Sequence, residues 1–110
     1  MNNNHPEVIT IKVGNQERTL KLGPAAFRIA EVKHDIRFTM GQLTDPSLAT
    51  LAQIAYIGCL VDEPNLKEMK FLLDMAKSDE GAILGAVAEA LNRMTEGLTA
   101  FGKEDGEPGE

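Results

Sequence analysis

The sequence predicts an α+β domain in which an N-terminal two-stranded antiparallel hairpin packs on about four helices, with helix predominating. Two observations lead to this prediction. Apolar and polar residues alternate over 9–13 and again over 19–22, which is the period of a half-buried strand. From residue 24 onward the apolar spacing changes to three and four residues, the period of a helix with one buried face.

The predicted hairpin follows a flexible arm at 1–7 and opens a single domain at 8–101. Gly14 and Asn15 stand between the two strands, and both residue types tolerate the backbone of a tight turn. Two strands alone are marginally stable in water, so we expect their apolar face to lie on the helices. That face consists of Ile9, Ile11, Val13, Leu20 and Leu22.

The first helix is predicted from Pro24 to about Asp35, because proline is favoured at the first helical position. Its expected inward residues are Ala26, Ile29, Ala30 and Val32. The segment that follows, "IRFTMGQLT", is predicted to be irregular. Phe38 and Met40 within it either pack into the core or contact a partner, and the sequence leaves both alternatives open.

The second helix is predicted to be the central one. Asp45 is expected to cap it and Pro46 to occupy its first turn. Two apolar stripes run along it as far as Val61, so neighbouring elements should cover both sides. The stripes contain Leu48, Leu51, Ala52, Ala55 and Cys59 on one side and Ile54, Ile57 and Val61 on the other.

In the third helix two apolar residues depart from the main stripe. Asn65 and Glu68 have the spacing of a capping box at its start. The residues expected to face inward are Leu66, Met69, Leu72, Leu73 and Ala76. Phe71 and Met75 lie four apart and point away from them, so they are either core under another helix or an exposed patch for a partner.

The last helix has an apolar stripe and, opposite it, a face of small residues. Ser78 or Asp79 is expected to cap it. Gly81 and Gly85 weaken a helix interior, so the small face is either a site of close approach for another backbone or a plain solvent face. The apolar stripe contains Ile83, Leu84, Val87, Leu91, Met94 and Leu98. An acidic tail at 102–110 is predicted to be disordered.

Charge and residue types exclude several functional classes. Acidic residues outnumber lysine and arginine by 17 to 11, giving a net charge of -6. We therefore expect neither nucleic-acid binding nor attachment to an anionic membrane, both of which need clustered basic residues. The lone Cys59 and an N-terminus without a signal-peptide pattern favour a cytoplasmic protein. The apolar run from Ile54 to Val61 is much shorter than the ~18 residues that cross a bilayer.

No residue pattern predicts catalysis, a metal or a cofactor. Cys59 lies on an apolar helical face, which favours a buried structural thiol. His34 has no second ligand at metal-binding spacing. Asp62 and Glu63 precede a proline, where they are interpreted as helix-ending, solubilising residues. We therefore expect a protein that is not an enzyme.

The order of elements resembles that of a known family. The hairpin "ITIKVGNQERTLKL" precedes "GPAAFRIAEVKHDI", and "DPSLATLAQIAYIGCLVDEPNL" leads to two more helices. This arrangement is similar to that of the tail assembly chaperones of long-tailed bacteriophages and gene transfer agents. The resemblance covers roughly residues 8–98 and rests on order, lengths and local phrases.

The resemblance implies a non-enzymatic protein that binds and solubilises the tape-measure protein and helps the tail tube protein assemble around it. Such a protein acts in the host cytoplasm, is absent from the mature virion and is expected to form a homo-oligomer. The alternative is a small structural virion protein, such as a head-tail connector or tail completion protein. The residues singled out for partner contact are Phe71, Met75, Phe38, Met40, Gly81 and Gly85.

Overall fold

A computed structural model describes the backbone of residues 7–106 and the side chains of residues 7–96. It confirms the α+β prediction, with one antiparallel hairpin followed by helices. In chain order the elements are β1 (Glu7–Val13), β2 (Gln16–Leu22), α1 (Pro24–His34), α2 (Met40–Thr44), α3 (Leu48–Leu60), α4 (Glu68–Ala76) and α5 (Glu80–Gly106).

The ends of the chain differ in part from the prediction. Of the arm predicted at 1–7, only Glu7 is described, and it begins β1. Helix α5 continues to Gly106, past the predicted start of the tail at residue 102. Each further helical residue adds a backbone hydrogen bond without a new nucleation cost, so an established helix can continue into a polar segment. The end of the predicted tail, at 107–110, lies outside the described residues.

The hairpin turns through two residues. Val13 and Gln16 are directly paired, and Gly14 between them has φ = 68°, a left-handed conformation that glycine adopts without steric cost. The alternation predicted from the sequence holds for the buried face. That face consists of Ile11, Val13, Leu20 and Leu22, with Arg18 at the next inward position of β2.

Helix α3 is central, as predicted. It packs on β2, α1, α4 and α5, and the segment from Ile54 to Leu60 is buried throughout. Gly58 permits the close contact with the hairpin, because a Cβ atom there would lie 2.6 Å from Cγ of Leu20. The predicted inward position of Leu48 is wrong, since this side chain at the first turn is 71% exposed.

Two predicted helix starts are wrong. Ser47 caps α3, with its Oγ accepting a hydrogen bond from the Thr50 N–H at 3.1 Å, whereas Asp45 ends α2. Helix α4 begins at Glu68 instead of after Asn65. A hydrogen bond from the Leu66 N–H to the Glu63 carbonyl places Asn65 inside a turn, so it cannot cap the helix.

The segment predicted to be irregular contains the short helix α2. Thr39 and Gln42 form a reciprocal capping box at its start, with donor–acceptor distances of 2.8 and 3.1 Å. Phe38 precedes it and packs edge-to-face on Phe27, with ring centroids 5.9 Å apart. The predicted inward position of Val32 on α1 is wrong, because α1 buries its alanine face and leaves Val32 72% exposed.

Helix α5 supplies the other large apolar face. Asp79 is its cap, since its Oδ1 accepts a hydrogen bond from the Ala82 N–H at 3.3 Å. The helix packs on α3, α2 and both strands. The predicted stripe is confirmed for Ile83, Leu84, Val87 and Leu91, which are buried, and Met94 is half-buried; the side chain of Leu98 lies outside those described.

Candidate protein-binding surface

Phe71 and Met75 belong to the core. Their exposed fractions are 0% and 1%, and the Phe71 ring lies against Tyr56 at a centroid distance of 5.9 Å. Of the two alternatives that the sequence left open, the structure therefore shows the core position. These side chains cannot form a partner surface without unpacking the domain, which corrects their assignment as contact residues.

The exposed apolar residues of α4 lie on a different face. Met69 is 68% and Leu73 55% exposed, although both were predicted to point inward. They are four residues apart, so they are neighbours on one side of the helix. Together with half-buried Leu72 and exposed Ala76 they form what we call the α4 stripe: Met69, Leu72, Leu73 and Ala76.

The position of the stripe follows from the width of the apolar arc on α4. Successive residues are separated by about 100° around a helix, so Phe71 and Met75 mark one side of a broad apolar arc and Met69 and Leu73 the other. The domain covers the first side, which packs on α3 and β1, and half-buried Leu72 also contacts the core, whereas Met69 and Leu73 remain exposed. The second side is bordered by polar residues, but its own side chains are apolar. Exposed apolar side chains that lie next to one another mark interaction sites.

Lysines border one side of the stripe. Lys70 lies three residues before Leu73 and Lys77 four residues after it, which places both beside Leu73 on the helix surface. Lys70 Nζ is 3.2 Å from Asp74 Oδ2. Lys77 is exposed and has no ion-pair partner among the described side chains. We call Lys70 and Lys77 the lysine edge.

A cleft of about 600 Å³ lies between the lysine edge and the hairpin turn. The Gly14 N–H donates a hydrogen bond to Ser78 Oγ at 2.6 Å, and the Ser78 hydroxyl donates to the Asp74 carbonyl at 2.8 Å. These bonds tie the turn to the end of α4 and fix the walls of the cleft. Its lining residues are Val13, Gly14, Asn15, Gln16, Lys70, Asp74 and Lys77.

The other predicted contact residues are divided between core and surface. Phe38 is half-buried and packs against the core cluster, whereas Met40 on α2 is 53% exposed. Gly81 and Gly85 are exposed on α5, and apart from the adjoining turns of that helix no atom of the described residues lies within 4 Å of a Cβ atom built on either. The structure thus brings Phe71 and Met75 together in the core and leaves Met40 and the two glycines on outer helix faces.

Replacing Gly85 with alanine is expected to raise the free energy of unfolding by about 0.5–1 kcal/mol, because alanine favours the helix and meets no neighbour. Urea denaturation at constant m value measures the change. Gly58→Ala is the contrasting control, expected to destabilise the chain by crowding Leu20. A Gly85→Ala chain less stable than its parent would contradict an open surface at this position.

The acidic pair that follows α3 anchors the hairpin. Glu63 forms an ion pair with Arg18, whose side chain is 9% exposed, and Asp62 pairs with Lys21 at 3.0 Å. Sequence reasoning missed this role and assigned Asp62 and Glu63 to solubility. The strand alternation was the available signal, since it places Arg18 on the inward face, where a buried guanidinium requires a carboxylate.

Cys59 is buried, as predicted, and chemically quiet. Burial raises the pKa of its thiol from 9.0 to about 12, with the nearby Glu63 carboxylate adding to the effect and Arg18 opposing it. The thiolate required of a nucleophile is therefore scarce at neutral pH. Within residues 7–96, no group of three or more potential His, Cys, Asp or Glu ligands converges on a possible metal site.

Comparisons with known proteins give no relative for this chain: no family model, curated protein or solved structure matches it. None of the helices in the described part combines the length and apolarity needed to span a membrane.

Proposed function

We propose that this chain is a non-enzymatic tail assembly chaperone that binds the tape-measure protein, keeps it soluble and promotes assembly of the tail tube. The observation that carries the proposal is the uncovered α4 stripe, whose Met69 and Leu73 are more than half exposed. The resemblance of residues 8–98 to such chaperones supports it. In this proposal the protein acts as a homo-oligomer in the host cytoplasm and is absent from the mature virion.

The physical requirements of the task fit the surface. A long helical client presents repeated apolar faces that aggregate unless they are covered, and an amphipathic helix face is a common binding element for them. Methionine packs adaptably on varied partners. Many copies along one client make weak single contacts sufficient through multivalency. The net charge of -6 favours dispersion of the loaded complex.

The test is coexpression with the tape-measure client, comparing the parent chain with Met69→Asp/Leu73→Asp. We expect the parent to keep the client soluble and the double variant to leave most of it in the pellet, because two buried charges would have to be desolvated at the contact. Circular dichroism checks that the variant is folded, which is expected since both side chains are exposed.

Val32→Asp/Leu48→Asp is the matched control, since these apolar side chains are 72% and 71% exposed on other helices. It should protect the client as the parent does. Equal protection by both double variants would remove the α4 stripe from the proposal. Another outcome is that the solubility of the client is the same with and without the parent chain, while this chain is recovered from purified particles. That result would replace the chaperone proposal by a structural virion role.

A further inference from the structure

We infer that the α4 stripe and the lysine edge together bind an amphipathic helix whose apolar face is bordered by glutamate or aspartate on one side. The inference rests on the proposed function for the identity of the natural client, and it adds the chemistry by which that client is recognised. The two parts of the surface are independent observations: an apolar stripe whose Met69 and Leu73 are exposed, and beside it a cleft whose lining includes Lys70 and Lys77 together with Asp74.

The stripe has the spacing and length of a helix-binding element. Met69, Leu73 and Ala76 follow at intervals of four and three residues, so they form one line along α4. The helix has 9 residues, which is about 13 Å at the usual rise per residue. A partner helix could therefore bury about two of its turns against the stripe, with anchors at matching intervals of three and four.

Charge selects the partner. Residues 67–77 carry three lysines against Glu68 and Asp74, a local charge of +1 in a chain whose net charge is -6. Lys70 already forms an ion pair with Asp74, whereas Lys77 is without an ion-pair partner in the described part of the chain. The cleft beside them leaves room for glutamate side chains to reach either ammonium group. A basic partner would meet like charge at this edge.

The same charges disfavour a second copy in the most direct arrangement. Two α4 helices packed antiparallel about a two-fold axis would bring their lysine edges to the same side of the interface, where Lys70 and Lys77 of both copies repel. An acidic client places opposite charge there. The partner that this surface favours is therefore an acidic amphipathic helix, and self-association through α4 is an outcome to be tested.

Two synthetic helical peptides provide the probe. They share one leucine face with spacings of three and four residues and differ only in whether glutamate or lysine borders it. Titrated into the full chain at about 100 mM salt, where the Debye length of about 10 Å limits the influence of the net charge of -6, the glutamate peptide is expected to bind at least about tenfold more tightly than the lysine peptide, with amide shifts concentrated at 68–77. The preference should shrink towards about 500 mM salt, where charges are screened.

Charge reversal supplies the decisive variant. Lys70→Glu/Lys77→Glu should abolish or invert the preference, whereas Lys33→Glu, an exposed lysine on α1, should leave it unchanged. Equal binding of both peptides, or amide shifts centred away from α4, overturns the inference. The inference is also overturned if neither peptide binds the parent chain and sedimentation shows a dimer that Leu73→Asp dissociates.

The client experiment separates this inference from the proposed function. If the glutamate peptide binds at α4 but the tape-measure client stays insoluble, the surface chemistry stands and the chaperone proposal fails. If the client is solubilised equally well by the parent and by Lys70→Glu/Lys77→Glu, the chaperone proposal stands and the inference fails.

Discussion

Replacing Phe71 with alanine is expected to lower the free energy of unfolding by about 3–5 kcal/mol, the usual cost of truncating a fully buried aromatic residue. Phe71 is 0% exposed and is the largest of the fully buried side chains in the described part. Its removal would leave a cavity beside Tyr56. Since small domains are stable by only about 5–15 kcal/mol, urea denaturation should show a much earlier transition and a measurable unfolded fraction in buffer.

Leu73→Ala is the matched control on the same helix. It also truncates an apolar residue, but the side chain is 55% exposed, so we expect a loss below about 1 kcal/mol. Comparable losses for the two variants would contradict the assignment of faces on α4. The difference also governs how binding is tested: aspartate at Phe71 would unfold the domain, whereas aspartate at Leu73 changes a surface.

The faces of α4 show what periodicity can and cannot predict. The spacing of apolar residues correctly predicts that a helix exists between the acidic turn and residue 77. It also identifies Met69 and Leu73 as one stripe and Phe71 and Met75 as another. The choice between the stripes depends on which side meets α3 and β1, and a local pattern carries no information about that contact.

The elements with stronger local signals were predicted more fully. The hairpin, the start of α1 and the central place of α3 follow from alternation, proline and apolar stripes on two sides of one helix. The cap of α3 was predicted wrongly, because Asp45 and Ser47 flank the same proline and both residue types are good caps. The stripe on α4 was visible in the sequence as a pattern, but its exposure was not.

For the ion pair between Arg18 and Glu63, the strand alternation indicates that Arg18 points inward, but the sequence does not identify its partner. The two residues are 45 positions apart, and the pairing depends on the turn after α3 meeting β2. Each residue has a plain local interpretation, one as a charged strand residue and the other as part of a polar turn. Only the fold places the carboxylate where a buried guanidinium requires it.

Replacing Glu63 with alanine is expected to lower the free energy of unfolding by about 3 kcal/mol, because it leaves the Arg18 charge buried without its partner. The expected cost lies at the lower end for buried pairs, since Glu63 is itself 33% exposed. Urea denaturation measures the loss. Thiol labelling of Cys59, which lies buried nearby, should report faster local or global opening in the same variant.

Two further variants show whether unpaired charge is the cause. Asp62→Ala removes the neighbouring carboxylate, whose pair with Lys21 is exposed, and should cost no more than about 1 kcal/mol. Arg18→Met/Glu63→Leu replaces both charges by apolar groups and should recover most of the stability lost in Glu63→Ala. Recovery is favoured because Arg18 Nε is buried without a hydrogen-bond partner among the described residues. A double variant as unstable as Glu63→Ala would instead mean that packing around Arg18, and not its charge, holds the hairpin on α3.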